Sequence, residues 1–331
     1  MTPESILLVK PSSLGDIVHT LPASRFIKRS FPQSRLYWLV NSEWSPLLED
    51  NSDLARVIQF PRKSFGRFSG ARRFWQWCRE LGALRPDLVL DFQGLLRSAL
   101  ISRSSGGRLI LGLSDAREGA RFFYRKVARV TSDQHAVSRY LALAAMAGAD
   151  VSGEIEFNLP PGRPVPNFEL PDRFVVLHPF ARGTGKSLTE PEIHQLTYQL
   201  APIPIIVVGR SDAPFTFAHN AASLVNQTDL EQLIWVLRKA AFVISVDSGP
   251  MHLAAAVSRG ILSIHFWSDP AKVGPFRDDA WIWQSNRIFQ RKELARRSQE
   301  INAASRPNPK QIALFVRDRL LEYSQHSGRL S

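Results

Sequence analysis

The stretch Ser245-Val246-Asp247-Ser248-Gly249-Pro250-Met251-His252-Leu253-Ala254-Ala255-Ala256, taken with the apolar run Phe242 to Val246 that feeds it, decides how this chain is read. Phe242 to Val246 is short, β-branched and apolar, which is the length and composition of a buried strand. Asp-Ser-Gly-Pro stops it with residues that turns favour. Met-His-Leu-Ala-Ala-Ala then supplies good helix formers. A strand, a small polar turn and a helix start leave backbone N–H groups unpaired at the helix N-terminus, where a diphosphate can be held. An ordinary capped βα junction reads the same way locally, so the rest of the chain has to choose.

The same pattern recurs on both sides. Ile6 to Val9 is an apolar strand leading into Lys10-Pro11-Ser12-Ser13-Leu14-Gly15-Asp16, where Gly15 lets the backbone turn sharply. Ile17, Val18 and Leu21 begin an apolar helical face, with Pro22 either in the first turn or kinking the helix. Asp16 thus sits at a strand C-terminus beside a helix start, where open α/β sheets bind ligands; helix capping is equally open to it. Leu36 to Val40, Val57-Ile58 and Leu88 to Leu90 follow at βα spacing. The last runs into Asp91-Phe92-Gln93-Gly94-Leu95-Leu96-Arg97-Ser98, and a helix opens at His135.

Pro160-Pro161-Gly162-Arg163-Pro164-Val165-Pro166 places four prolines in seven residues and reads as a stiff linker. Beyond it the series restarts with Phe174 to Leu177, a polar loop from His178 to Lys186 and a helix through Tyr198. Ile203 to Val208 ends at Gly209-Arg210-Ser211-Asp212; then come the Asp247 junction, Ile261 to Phe266, and an amphipathic helix from Pro307 to Tyr323. Two βαβ series around a proline hinge predict an α/β chain of two doubly wound domains facing across a cleft. Their expected bounds are 1–160 and 168–331, with 161–167 as the linker.

Composition narrows the class. At 331 residues, 44% hydrophobic and 22% charged, the chain is an ordinary globular one with room for two cores. No run approaches a membrane span, and the opening Met-Thr-Pro-Glu-Ser lacks the regions of a secretory leader, so a cytoplasmic setting is expected. A single cysteine, Cys78, excludes an internal disulfide and a cysteine-based zinc site. The formal charge of +12 is concentrated: sixteen Lys/Arg stand against five acids between Arg56 and Arg129. Such a field favours an anionic partner, whether substrate, membrane surface or nucleic acid.

The chemistry is bounded by what is missing. A Walker A loop is absent, Gly-x-Gly-x-x-Gly does not follow the first strand, and no Asp-x-Asp pair exists to hold a divalent metal with a nucleotide sugar. A diphosphate site would then rely on helix N-termini and cations, which the Asp247–His252 turn and Lys186 supply. Lys186 read alone is equally a solvated surface lysine.

Four motifs taken together, Lys10 to Ala23, Asp91 to Ala99, Ala116-Arg117-Glu118 and Val246 to Leu253, resemble glycosyltransferase family 9, and within it the heptosyltransferases of the lipopolysaccharide inner core. The resemblance implies the GT-B fold of two Rossmann-like domains, acceptor in the first and nucleotide sugar in the second. It implies inverting, metal-independent transfer of heptose from ADP-heptose to Kdo, without a cofactor. Asp16 would be the general base, and Lys186 would face the donor phosphates. Asp247, Ser248, Gly249 and His252 would form the donor turn, with Asp212 as a further donor contact. Ser13, Gly15, Arg62, Lys63, Gln93, Arg97 and Arg117 would meet the acceptor, a carboxylated sugar on phosphorylated lipid A. The basic segment then also suits the anionic inner leaflet, as a peripheral attachment, with no nucleic-acid partner. Two departures bear on base and sugar preference: Ser187-Leu188-Thr189 stands where the family usually has His-Trp-Pro, and the region after Gly209, where an acidic residue often contacts the nucleotide ribose, reads Arg210-Ser211-Asp212, with Asp212 as the replacement. A family member using another nucleotide sugar, or a heptose acceptor, is the alternative. A nucleotide-sugar epimerase and a basic nucleic-acid-binding module are the readings from other classes.

Overall fold

The computed structural model describes residues 2–62, 70–183, 185–296 and 305–327. The chain divides into two compact units, Met1–Pro160 and Pro161–Ser331. The first runs β1 (Ser5–Val9), α1 (Leu14–Ser30), β2 (Arg35–Asn41), β3 (Arg56–Phe60), α2 (Gly70–Gly82), β4 (Leu88–Asp91), α3 (Leu96–Ser104), β5 (Leu109–Leu113), β6 (Lys126–Ala128) and α4 (Ala136–Met146). The second runs β7 (Val175–His178), α5 (Glu190–Leu200), β8 (Ile205–Val207), β9 (Ala221–Ser223), α6 (Leu230–Lys239), β10 (Phe242–Val246), α7 (Gly249–Val257), β11 (Ile261–Ile264), α8 (Pro270–Val273), β12 (Trp281–Gln284), β13 (Arg287–Gln290) and α9 (Pro309–Ser327).

Strands β1, β4, β7, β10 and β11 are buried along their whole length. That is why they read as unbroken apolar runs rather than alternating ones: each is covered on both faces, as parallel strands in α/β folds are. The six-stranded sheet has the order β3-β2-β1-β4-β5-β6, and its pairings are parallel. The seven-stranded sheet has the order β13-β12-β11-β10-β7-β8-β9, parallel except for β12 with β13. Read from β9, the second sheet repeats the order of the first and adds one antiparallel edge strand. This is the Rossmann-type arrangement twice over, the architecture of a GT-B fold.

In each sheet the chain starts centrally, winds outward, then crosses back to the other side of its first strand. The crossing lies between β1 and β4 in the first unit and between β7 and β10 in the second. Loops leaving the carboxyl ends of two such strands splay apart and open a crevice, which is where doubly wound sheets bind ligands. Lys10 to Asp16 and Asp91 to Arg97 flank the first crevice. Residues 178–183 and 185–189 flank the second on one side, and Asp247 to His252 on the other.

Each unit has its own core. Leu7, Val9, Leu39, Val89, Ile101 and Ile110 pack together in the first. In the second, Val175, Leu177, Phe242, Ile244, Leu262 and Trp283 meet Ile312 and Val316 of α9. Burying one such side chain contributes about 1.5–3 kcal/mol. The closing helix is seated at Gly260, where an added Cβ would lie 2.8 Å from the Phe242 ring and 2.7 Å from the Tyr323 hydroxyl.

Pro22 lies well inside α1, not in its first turn. It has no N–H to offer the carbonyl one turn back, and the buried Ile17, Leu21, Phe26 and Ile27 carry the helix past it. Helix α7 begins at Gly249, two residues before the helical stretch the sequence suggests, with Pro250 in the first turn where its missing N–H costs little. The β12–β13 hairpin turns on Ser285 and Asn286, both with positive φ (49° and 62°), as a two-residue hairpin turn demands.

Candidate active site

In the first unit the site is built around the first turn of α1. Asp16 is its third residue, and one carboxylate oxygen, Oδ2, accepts from the Ser13 amide at 3.1 Å and the Ser13 hydroxyl at 2.8 Å. The other oxygen, Oδ1, accepts from the Tyr140 hydroxyl of α4 at 3.1 Å and lies 3.8 Å from the Lys10 ammonium. One oxygen of the carboxylate is thus held from the helix start and the other from α4. The side chain stays 37% exposed, enough to meet a substrate, whereas Lys10 is 3% exposed. Partial burial pushes the Asp16 carboxyl up. The Lys10 charge and the bonds from Ser13 and Tyr140 more than offset it, leaving the group below its ordinary value. Burial pulls the Lys10 ammonium down against the carboxylates of Asp16 and Asp91.

The facing loop is tied down by Asp91, the last residue of β4. Its Oδ1 accepts from the amides of Gln93 (2.9 Å) and Gly94 (3.1 Å); its Oδ2 accepts from the hydroxyls of Ser98 (2.8 Å) and Tyr124 (2.7 Å). Complete burial pushes this carboxyl up despite four donors. Asp91 is thus a strut for the loop. Gln93 reaches across the crevice, accepting from the Ser12 amide at 3.3 Å. The Arg117 amide donates to Gly94 O at 2.8 Å, so a third segment lies on the same loop.

Ser13, Gly15, Asp16 and Gln93 are therefore brought together, with the exposed Arg117 beside them. Arg97 is exposed on the first turn of α3, and Arg62 is exposed beyond β3; among the described residues neither enters this bonded set. Lys63 lies outside the described residues. Lys10 and Tyr140 were missed as site residues. Lys10 carried a signal, a lysine directly after a buried strand at a crossing point, but nothing local marks Tyr140.

In the second unit Lys186 and Asp247 come together. The ammonium donates to Asp247 Oδ2 at 3.0 Å and sits 4.3 Å from the centre of the Trp267 ring. Burial pushes the Asp247 carboxyl up, while His265, the Ser268 hydroxyl and Lys186 bring it below its ordinary value. Burial also holds His265 itself down to about 4, so near neutral pH Lys186 and Ser268 keep Asp247 ionised. His178, at the end of β7, is likewise lowered to about 4 by burial. Both histidines are neutral struts: His178 Nδ1 lies 3.2 Å from Ser245 Oγ and 3.3 Å from Ser248 Oγ, and His265 lies 3.0 Å from Ser268 Oγ.

Ser248 precedes α7 but makes no side-chain cap, its hydroxyl being spent on Val246 O (3.2 Å) and His178. Pro250 has no amide, and the Met251 amide bonds to Ser248 O at 3.1 Å. The tip of α7 accordingly presents Gly249 and the positive end of the helix dipole beside Lys186 and Asp247. His252 is buried one turn further in. Asp212 is exposed in the loop after β8, which Asn226 orders through Ser211 and which abuts His178 at Gly209. In place of His-Trp-Pro, the Ser187 hydroxyl accepts from the Ala181 amide at 2.9 Å and closes the Lys186 loop on itself. Trp267 and the histidine struts had no recognisable signal in the sequence. Among the described residues no group of three or more His, Cys, Asp or Glu side chains is placed to hold a metal ion.

A family model described as glycosyltransferase family 9 (heptosyltransferase) matches residues 74–182 and 212–303. Lipopolysaccharide heptosyltransferase 1 of Pseudomonas aeruginosa is 30% identical over 298 residues, covering 82% of this chain and 81% of that protein. The protein of the same name from Escherichia coli K12 is 27% identical over 311 residues, covering 85% and 94%. Among solved structures, E. coli heptosyltransferase WaaC with ADP superposes with a TM-score of 0.75 at 25% identity, over 95% of this chain and 99% of that one.

Proposed function

This chain belongs to glycosyltransferase family 9, and on that premise we propose that Asp16 is the base of its reaction and that Lys186 with the tip of α7 receives the departing ADP. The enzyme is a heptosyltransferase that moves heptose from ADP-heptose to Kdo of the lipopolysaccharide core. The observation that carries the residue assignment is the state of Asp16: ionised, half-exposed, and anchored at a sheet crossing point.

The acceptor hydroxyl gives its proton to Asp16 as its oxygen attacks the anomeric carbon. The bond from that carbon to the phosphate oxygen breaks on the opposite face, and ADP leaves with the electron pair. Inversion follows from the single in-line displacement. A carboxylate below its ordinary pKa is a weak base, so its contribution is alignment within hydrogen-bond reach, where the hydroxyl becomes acidic only as the new bond forms. Charge growing on the diphosphate is met by the Lys186 ammonium and the Gly249 end of α7, placed before the reaction starts. Asp247 orients Lys186 and is left to accept from donor hydroxyls, with Ser248, His252 and Asp212 on neighbouring loops. Incubation with ADP-heptose and Kdo-lipid should give ADP and a lipid heavier by one heptose. Release of an altered free sugar without acceptor would instead mean an epimerase.

The acceptor is assigned to the first unit, where Ser13, Gly15, Arg62, Lys63, Gln93, Arg97 and Arg117 supply polar and basic contacts. No helix among the described residues is long and apolar enough to cross a membrane. A peripheral attachment to the cytoplasmic face of the inner membrane is supported by one surface of this unit. Leu96 (40% exposed), Leu100 (47%) and Phe122 (94%) are open beside the exposed Arg103 and Arg121. Each surface arginine near an anionic leaflet is worth about 1 kcal/mol. Phe122→Asp should weaken co-sedimentation with anionic vesicles about tenfold or more, and neutral vesicles should bind neither form; equal binding of both forms to anionic vesicles would remove this surface from the contact.

A further inference from the structure

Every polar group facing the Asp16 carboxylate has an evident task except one. Ser13 caps α1, and Lys10 neutralises charge. Tyr140 comes from α4, on the far side of the unit in sequence, and among the described residues its hydroxyl bonds to the other two members of the set. It accepts from Lys10 Nζ at 2.8 Å and donates to Asp16 Oδ1 at 3.1 Å. Lys10 Nζ makes its other bond to Phe92 O at 3.0 Å, so the ammonium is fixed from the β4 side as well. The Tyr140 ring is 3% exposed, lies edge-on to Phe92 at 5.6 Å, and has the Lys10 ammonium 4.8 Å from its centre.

We infer that Tyr140 is a positioning residue for the transfer reaction: its hydroxyl, polarised by buried Lys10, fixes the orientation of the Asp16 carboxylate and stabilises it as the anion. This deepens the assignment of Asp16 as base and rests on it. The direction of the chain of bonds carries the argument. Lys10 has only donors, so the phenol must accept from it and point its own proton at Asp16. The phenol stays protonated because burial, and then the Asp16 charge, push its ionisation well above the ordinary tyrosine value. A charged donor feeding a hydroxyl that feeds a carboxylate strengthens each link beyond an isolated bond. With Oδ2 held by Ser13 and Oδ1 by Tyr140, the carboxylate cannot rotate about its last torsion, and its exposed edge faces one way only.

Other charged groups surround the set. Asp91 faces Lys10 from β4. From α4, Arg139 faces both Lys10 and Tyr140 and is paired with Asp115 of the loop after β5. His19 of α1 and His135, the residue capping α4, pack edge-on at 4.9 Å along the same seam. Removing the Tyr140 hydroxyl leaves all of these in place and takes one donor from Asp16. The Asp16 pKa must therefore rise, and the acid limb of kcat/KM must move to higher pH.

Tyr140→Phe is the test, because it removes one oxygen and keeps the ring. The expected result is an acid limb raised by about one pH unit, the size of one hydrogen bond to a charged group. At neutral pH kcat should fall about tenfold, with KM for ADP-heptose within twofold, since the donor half is untouched. Lys10→Met should shift the limb further in the same direction. A fall in kcat with no movement of the acid limb would overturn the inference, as would unchanged kinetics. Should Tyr140→Phe be unstable, NMR titration of the Asp16 carboxyl carbon in the wild type and in Lys10→Met reads the coupling without turnover; an Asp16 that titrates alike in both also overturns it. The same titration separates this inference from the assignment it rests on. An Asp16→Ala enzyme that stays active removes Asp16 as base, while the titration still reports what holds the carboxylate.

Discussion

Asp16→Ala should lower kcat by about two to four orders of magnitude, the range of a positioned general base, while ADP still binds within about twofold of the wild type. The two halves of this expectation come from different places. ADP is assigned to Lys186, Asp247 and α7, all in the second unit. The acceptor proton is assigned to the carboxylate, for which alanine offers nothing. Steady-state kinetics paired with calorimetric ADP binding checks both, and near-normal turnover would remove Asp16 as base. Alanine also strips Ser13 of its partner and leaves the Lys10 ammonium buried without its nearest anion, so a measurable loss of stability is expected beside the loss of rate. Asp16→Asn keeps an acceptor for Ser13 and separates the two effects: it should melt closer to wild type and turn over no better than alanine.

The pH dependence has a definite sign. Asp16 has a lowered pKa in the folded chain, beneath its ordinary 3.8. Its ionised form is therefore stabilised by folding at neutral pH, and that contribution disappears as pH falls below the ordinary value and through the lowered one. Between pH 5 and 8 the rate should not report Asp16 titration at all.

Lys186→Ala should reduce kcat/KM for ADP-heptose by about 10²–10³-fold, the cost of removing a charge from a developing anion in a preorganised site. Here the donor affinity should fall too. The ammonium is the near partner of Asp247, whose side chain is only 10% exposed. Removing the cation leaves a buried carboxylate beside the place assigned to a diphosphate, and its repulsion adds to the missing attraction. The double variant Lys186→Ala, Asp247→Asn should accordingly bind ADP better than Lys186→Ala alone, a coupling that a double-mutant cycle measures. Kinetics unchanged from wild type would leave Lys186 a structural partner of Asp247 with no part in the transfer.

How much of this was legible beforehand depended on range. Phe242 to Val246 is recovered as β10 without a residue's difference, because a strand buried on both faces writes an unbroken apolar run. Asp247 directly follows β10, where a small polar turn after an apolar run is a local signal, whereas Asp16 lies past the end of β1, inside the first turn of α1. The short edge strands β6 and β9, three residues each, have too few positions to show a period. The β12–β13 hairpin was hidden because Ser-Asn is a weak turn signal beside Asn-Gly. What joins distant segments left no trace: Tyr140 lies 124 residues from Asp16, and Trp267 meets Lys186 from across the second sheet. The motif marked Asp16, but not what holds its carboxylate.

The repeated strand order described above also bears on ancestry and engineering. Each unit has its own core and its own crevice. On the assignment proposed here, a graft made at the junction of Pro160 and Pro161 should take acceptor choice from one parent and donor choice from the other.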